Sequence, residues 1–103
     1  CPMGPWIVTA DELPDPGGLD IISRVNGEVR QQSNTRLMIF NVADIIASLS
    51  AGMTLEPGDV IATGTPSGVG MGFNPPRYLQ VGDTVECEVQ GIGVLRNTIG
   101  PGE

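Results

Sequence analysis

The segment Glu56-Pro-Gly-Asp-Val-Ile-Ala-Thr-Gly-Thr-Pro-Ser-Gly-Val-Gly-Met-Gly72 contains a turn, a short apolar stretch and a loop rich in glycine and threonine. Pro57-Gly58 suits the central positions of a type II turn. Residues 60–62 then predict a buried β-strand that leads into the loop. Backbone N–H groups and the hydroxyls of Thr63 and Thr65 are free to face a small anion, so this loop is the strongest candidate site.

The loop does not match two common glycine-rich motifs that bind phosphate. It lacks the Gly-Lys-Ser/Thr ending of a P-loop, and no helix pattern follows its glycines as a dinucleotide fingerprint requires. The residues alone leave two interpretations open. The loop is either a backbone cradle for a carboxylate or phosphate, or a tight connection that binds no ligand.

Five further segments predict β-strands. Residues 19–25 and 28–32 flank Asn26-Gly27, the sequence of a type I′ turn, and predict a half-exposed hairpin. Residues 84–90 alternate strictly between apolar and polar side chains, which predicts a strand with one wet face, and residues 94–99 return as its partner. The apolar residues 5–9 predict a further short strand.

One α-helix is predicted, at about residues 41–51. Asn41 is a suitable N-cap with Asp44 three residues later, and Gly52 is the expected residue just after the helix. The fold class is therefore mixed α+β and strand-rich. A twisted sheet or open barrel with the helix packed against it accounts for the pattern.

The amino-acid composition limits the expected partners. The 103 residues carry twelve acidic side chains against five arginines, a formal net charge of −7, with neither His nor Lys. Nucleic acids and anionic membranes both select a basic surface, so we expect neither as a partner. Cys1 and Cys87 are too few for a disulfide or metal framework, which predicts buried or idle thiols and a cytoplasmic location.

Two groups of acids have chemistry suited to a site. The loop acids Asp11, Glu12 and Asp15 offer oxygens to a hard cation, although such a proline-rich loop is more typical of a solvated segment. Glu86 and Glu88 share a face of the predicted strand, about 7 Å apart, and suit either an acid–base pair or a solvated outer face. In both groups we expect the solvated alternative.

A polar run, Gln31-Gln-Ser-Asn-Thr35, ends the hairpin. Its amides and hydroxyls are suited to lining a pocket, and they are equally typical of loop and cap chemistry. The residues alone leave these alternatives open. Of the arginines, those at positions 24, 30 and 96 are expected at the surface, whereas Arg36 and Arg77 lie near loops that an anion can approach.

Blocks along nearly the whole chain resemble the fumarylacetoacetate hydrolase family, in the family's order. The matching blocks are Gly4-Pro-Trp-Ile-Val-Thr9, Asp11-Glu-Leu-Pro-Asp-Pro16, Val25-Asn-Gly-Glu28, Gln31-Gln-Ser-Asn-Thr35, Met38-Ile-Phe40, Leu55-Glu-Pro-Gly-Asp-Val-Ile-Ala-Thr-Gly-Thr-Pro-Ser-Gly-Val-Gly70 and Gly91-Ile-Gly-Val-Leu-Arg-Asn97. The run Pro57-Gly-Asp-Val-Ile-Ala-Thr-Gly-Thr-Pro66 is quite specific.

The resemblance implies a mixed β-roll fold, usually dimeric, in enzymes of small 2-oxo acids and 1,3-dicarbonyl compounds. Family members hydrolyse C–C bonds of acylpyruvates, decarboxylate oxaloacetate-like acids, or isomerise and decarboxylate intermediates of aromatic catabolism. A divalent Mg²⁺ or Mn²⁺ ion binds the oxo-acid end, and a His–Glu pair on a lid activates water in the hydrolases. We therefore expect a homodimer acting on a small oxo acid.

The resemblance also limits which site residues this sequence supplies. The family's metal ligands, an E-x-E pair and an Asp, and its catalytic Lys all precede the region matched here. We therefore assign no catalytic and no metal-binding residue, and Glu86-Cys-Glu88 has the E-x-E spacing in the wrong block. Thr65 matches the family threonine that hydrogen-bonds the substrate's carboxylate or oxo group, and Gly64 and Thr63 are the expected substrate-binding residues beside it.

Two functional hypotheses follow. In the first, residues 1–103 are the C-terminal part of a single catalytic domain, and the N-terminal part with the metal ligands is not present in this chain. This segment alone is then inactive. In the second, the same fold serves as a truncated, non-catalytic binding or assembly module. The choice between hydrolase, decarboxylase and isomerase depends on residues outside the segment.

Overall fold

The sheet is built around two central strands, each of which pairs with a neighbour on both sides. The computed structural model describes residues 1–102, and its strands are β1 (Asp20–Val25), β2 (Glu28–Asn34), β3 (Thr84–Val89) and β4 (Gly93–Thr98). They form one antiparallel sheet in the order β2-β1-β3-β4. With one α-helix beside this sheet, the predicted mixed α+β fold is confirmed.

The β1–β2 hairpin turns at Asn26-Gly27, as the sequence predicts. Asn26 (φ 51°) and Gly27 (φ 81°) both have the positive φ of a type I′ turn. The Asn26 side chain also connects the turn to β3. Its Nδ2 donates to Asp83 Oδ1 at 2.8 Å, and its Oδ1 accepts from the Thr84 N–H at 2.9 Å. One residue therefore sets both the turn and its attachment to the next strand.

A β-bulge shifts the register between β1 and β2. Ser23 lies opposite Gln31, whereas the next residue, Arg24, lies opposite Val29, which leaves Arg30 as the extra residue. Residues that lie directly opposite each other share a face of the sheet. Ser23 and Gln31 therefore project from the same face, on the side of the bulge that leads to the end of β2.

The helix α1 (Val42–Gly52) begins as predicted. The Asn41 side chain accepts a hydrogen bond from the Asp44 N–H at 2.8 Å and caps its first turn. Gly52 is the last helical residue rather than the residue after the helix, because the Met53 N–H continues the ladder to the Leu49 carbonyl. Within residues 1–102, no helix is both long and apolar enough to cross a membrane.

Several local predictions are wrong. Residues 5–9 and 60–62 are irregular segments rather than strands, and Val60 is 72% exposed. Their composition favours strands, but in the part of the chain that the structure describes no ladder partner lies beside them. Cys1 and Cys87 are exposed free thiols, so of the two predicted alternatives, buried or idle, the buried one is wrong. On β3 the predicted alternation of buried and exposed side chains is also broken. Cys87 is exposed, because no described element covers it, and Glu86 is partly buried.

The described residues leave most apolar side chains in contact with solvent. Val25, 8% exposed, is the most deeply buried hydrophobic residue among them, whereas Ile7 and Ile39 are 92% and 93% exposed. The accessible surface of 7826 Å² exceeds that of a folded monomer of this mass by roughly 2,300 Å². The radius of gyration is 15.4 Å, against about 13 Å for a compact domain of this length. The fold therefore presents an apolar surface suited to burial against further polypeptide.

Replacing Asn26 by Gly tests the connection between the hairpin and β3. Glycine adopts the same positive φ but lacks both side-chain hydrogen bonds, so we expect Asn26→Gly to lower the free energy of unfolding by about 1–2 kcal/mol. The measurement is chemical denaturation of the full-length protein. Gly27→Asn is the control, because its side chain enters open space at a position that asparagine tolerates. An equal loss in both variants would show that turn conformation alone matters.

Candidate functional site

A cavity of about 620 Å³ lies between the glycine–threonine loop, the end of β2 and α1. Its volume is in the range of small-molecule sites. The loop residues 63–66 form one wall, and residues 33–35 of the polar run lie beside them. The remaining lining is apolar and comes from the sheet, the segment before α1 and the helix: Ile21, Val89, Leu37, Met38, Ile39, Phe40 and Ile45.

Among residues 1–102 no charged side chain lines this cavity, although the whole sequence has a formal net charge of −7. A small anion inside it therefore meets no adjacent carboxylate. The same lining offers no Arg as a counter-charge, so neutral hydrogen-bond donors are what these residues can present. The hydroxyls of Thr63, Thr65 and Ser33 are such donors, and they lie next to an apolar wall that suits the carbon skeleton of a ligand.

A glutamine side chain holds the loop against β2. Gln31 Nε2 donates to Thr65 Oγ1 at 2.7 Å and to the Pro66 carbonyl at 2.8 Å. Gln31 Oε1 in turn accepts a hydrogen bond from Ser23 Oγ at 3.0 Å. The sequence predicts Gln31 only as a member of the polar run. Its contact with Thr65 depends on strand register and on loop position, which no local sequence signal reveals.

Glycines allow the loop to lie directly on neighbouring backbone. A Cβ at Gly68 (φ +105°) would overlap the Arg30 carbonyl, and one at Gly70 would overlap the Arg77 carbonyl. The Arg77 N–H also donates to the Gly70 carbonyl at 2.8 Å, within a connection that includes the short 3₁₀ turn Gly70–Gly72. Close backbone approach, rather than phosphate binding, explains these two glycines.

Arg77 ends the loop and anchors it to β2 through an ion pair. Its two terminal nitrogens contact the two carboxylate oxygens of Glu28 at 2.7 and 2.8 Å, and these bonds lower the pKa of Glu28. Arg30 and Arg77 both place their guanidinium groups over the Phe73 ring, 5.6 and 5.4 Å from its centroid. The predicted surface position of Arg30 is wrong, since this packing leaves its side chain 15% exposed.

The polar run divides between the two roles that the sequence left open. Asn34 caps the 3₁₀ turn Thr35–Leu37 by accepting from the Arg36 N–H at 3.0 Å, and it also donates to Asp20 Oδ1 at 2.7 Å. Thr35 accepts from the Leu19 N–H at 2.9 Å and so fixes the preceding loop. Ser33 lines the cavity, whereas Gln32 is exposed and lies outside it.

The acids singled out in the sequence do not converge on a metal. In residues 1–102 no group of three His, Cys, Asp or Glu side chains is placed to hold a metal ion. In the first loop, Asp15 Oδ1 instead accepts from the Gly17 N–H at 2.8 Å. On the sheet, Glu88 pairs with Arg24 at 2.7 Å and Glu86 lies 3.5 Å from Arg96. These two glutamates form cross-strand ion pairs rather than an acid–base site.

The fold is of the α+β class and carries a cavity of small-molecule size, and comparison with known proteins identifies its family. The family model described as "Fumarylacetoacetate (FAA) hydrolase C-terminal" matches residues 1–100. The chain therefore belongs to the fumarylacetoacetate hydrolase family.

Relatives whose names state an activity include a tautomerase and hydrolases. The chain is 51% identical over 100 residues to the oxaloacetate tautomerase YisK of Bacillus subtilis, a match that covers 97% of this chain and 33% of that protein. It is 52% identical to the fumarylacetoacetate hydrolase of Exiguobacterium antarcticum, with a TM-score of 0.95 over 99% of this chain and 36% of the other.

A second solved structure carries ligands. It is maleylpyruvate hydrolase from Sphingobium sp. SYK-6 in complex with manganese(II) and pyruvate, 42% identical, with a TM-score of 0.86. The match covers 97% of this chain and 35% of that one. The present chain thus spans about a third of the length of these relatives.

Adding one methyl group at Gly68 tests the close approach of the loop to β2. We expect Gly68→Ala to lower the free energy of unfolding by about 1–3 kcal/mol more than Gly58→Ala, since only Gly68 faces backbone. Gly58 is the matched control because its φ is +98° and its Cβ would enter open space. Chemical denaturation of the full-length variants measures the difference, and equal losses would contradict the close approach.

The Glu28–Arg77 pair predicts a pH-dependent part of the stability. The folded-state pKa of Glu28 lies below 4.5, so its contribution is present above that value and is lost as the pH falls through the folded-state pKa. We expect Glu28→Gln to lower the melting temperature at pH 7, with a smaller difference from the wild type at pH 3. Glu12→Gln is the control, because Glu12 is exposed and takes no part in the Glu28–Arg77 ion pair. A difference independent of pH would contradict this role.

Proposed function

We propose that the protein is a divalent-metal-dependent enzyme of catabolism that acts on small 2-oxo acids or 1,3-dicarbonyl compounds. Its reaction is C–C bond hydrolysis of acylpyruvates or a related decarboxylation or isomerisation. The observation that carries this proposal is the uncharged cavity beside residues 63–65, with a threonine hydroxyl in its wall. The relatives support it, because their names include a maleylpyruvate hydrolase and an oxaloacetate tautomerase.

Within this proposal, the residues of the chain bind and orient the substrate. Thr65 donates its hydroxyl proton to a carboxylate or oxo oxygen, and Thr63 and Gly64 shape the same wall. The apolar side chains on the other side, including Phe40 and Ile45, receive the carbon chain and exclude water from it. A hydrogen bond from a neutral hydroxyl to a charged oxygen is stronger in such a partly desolvated site than in water.

In this proposal the metal ligands lie outside the matched region of the protein. Among residues 1–102 no group of three His, Cys, Asp or Glu side chains is placed to hold a metal ion. The relatives support this placement, since about two thirds of each lies outside the matched region. The exposed apolar surface supports it as well, because further polypeptide would bury that surface. The chain is then the C-terminal part of one catalytic domain, in a cytoplasmic homodimer.

A non-catalytic binding or assembly module is the second candidate. The absence of a metal-holding group among residues 1–102 favours it, because a protein limited to these residues has no metal ligands to use. Turnover separates the two candidates. The full-length protein is assayed with Mn²⁺ or Mg²⁺ on acylpyruvates and oxaloacetate, and the isolated 103-residue segment is assayed in parallel. Metal-dependent turnover by the full-length protein alone is the expected result, and turnover by neither would support the module.

Replacing Thr65 by Val removes one hydroxyl at nearly constant volume. We expect Thr65→Val to lower kcat/KM for the 2-oxo acid about 10–100-fold, since a hydrogen bond to a charged group contributes about 1.5–3 kcal/mol. Thr54→Val is the matched control, because Thr54 is exposed and lies outside the cavity. An unchanged kcat/KM in Thr65→Val would remove Thr65 from substrate binding.

A further inference from the structure

The hydrogen bonds of Gln31 fix which groups donate and which accept. The Pro66 carbonyl is only an acceptor, so the end of the amide that faces it at 2.8 Å must be the NH₂ group. The other end is then the carbonyl Oε1, and Ser23 Oγ, 3.0 Å away, must donate to it. The Pro66 carbonyl therefore sets the orientation of the amide, and the Ser23 hydroxyl adds a hydrogen bond to its Oε1 end.

This arrangement also determines the direction of the Thr65 hydroxyl. The second proton of the Gln31 NH₂ group points to Thr65 Oγ1 at 2.7 Å, so Thr65 is the acceptor in that bond. The hydroxyl proton of Thr65 remains available. Among residues 1–102 the acceptor for this proton is the Pro66 carbonyl at 3.4 Å, well beyond the usual 2.7–2.8 Å or so of an O–H···O bond.

We propose that Gln31 is a positioning residue that, held by Ser23, keeps the Thr65 hydroxyl as a hydrogen-bond donor into the cavity and so selects anionic ligand oxygens there. The order of donation runs from Ser23 to Gln31 to Thr65 to the ligand. Each bond polarises the next, which strengthens the last one. This inference rests on the proposed function for the identity of the ligand, whereas the positioning of the loop does not depend on it.

Gln31→Glu reverses the polarity of this chain of hydrogen bonds at nearly constant size. An ionised carboxylate only accepts, so the Thr65 hydroxyl turns toward the substituted side chain and no longer donates to the ligand. Protonation restores one donor, and the neighbouring Pro66 carbonyl raises the pKa of the new carboxyl group because it disfavours the charged form. At pH 7.5 we expect Gln31→Glu to bind pyruvate, with Mn²⁺ present, with a Kd about tenfold higher than that of the wild type. At pH 5 the Kd of the variant should be much closer to that of the wild type.

Three further variants isolate the cause. Gln31→Leu lacks a donor at every pH, so its ratio to the wild type should stay constant between pH 7.5 and pH 5. Gln32→Glu carries the same charge change one residue along β2, at an exposed position outside the cavity, and should bind pyruvate within about twofold of the wild type. Ser23→Ala should weaken binding less than Gln31→Leu, since it removes one hydrogen bond to the amide and leaves the amide's own donors in place.

Pyruvate binding is measured by titration calorimetry on the full-length protein with Mn²⁺, and thermal unfolding confirms that each variant is folded. A Gln31→Glu Kd equal to that of the wild type, or an equal loss in Gln32→Glu, would overturn the inference. So would a loss in Gln31→Glu that does not shrink as the pH falls.

A second measurement separates failure of this inference from failure of the proposed function. If the wild-type protein does not bind pyruvate, the proposed ligand class is wrong, and the positioning role is tested by backbone NMR order parameters of residues 63–65 without ligand. Gln31→Leu should lower these order parameters relative to the wild type, and Gln32→Leu should not. Unchanged order parameters in Gln31→Leu would overturn the positioning role.

Discussion

The close approach of the glycine–threonine loop to the backbone of β2 is the contact on which the candidate site depends. At Gly68 the loop lies so near the Arg30 carbonyl that no side chain fits between them. From that contact the chain runs back past Pro66 and Thr65, where the Gln31 amide holds it by two hydrogen bonds. A loop held at both points keeps the hydroxyls of Thr63 and Thr65 in the wall of the cavity.

The sheet provides the other half of this arrangement. β1 pairs with β2 and β3, and the bulge at Arg30 brings Ser23 opposite Gln31 on the face that meets the loop. Farther along β2, the Glu28–Arg77 pair fixes the end of the same loop. Strand register, a bulge and an ion pair therefore converge on one outcome, which is a fixed position for residues 63–66.

Local chemistry made some of this predictable from the sequence. The turn at Asn26-Gly27, the helix cap at Asn41 and the strand at residues 84–90 were predictable. Each of these features depends mainly on residues that are close together in the sequence. The strands predicted at residues 5–9 and 60–62 are absent because a strand needs a pairing partner, which local composition does not specify. Residue types also drew attention to residues 63–65 and 31–35. Which glutamine reaches Thr65 was unpredictable, since a one-residue bulge decides it.

The most direct measurement is a crystal structure of the full-length protein with Mn²⁺ and pyruvate. The result expected is a pyruvate oxygen within about 3 Å of Thr65 Oγ1, with the Gln31 amide still donating to Thr65 and Pro66 and the metal held by residues outside this chain. Pyruvate bound away from residues 63–65, or bound at Thr65 with the Gln31 amide turned away, would contradict the role given to this cavity.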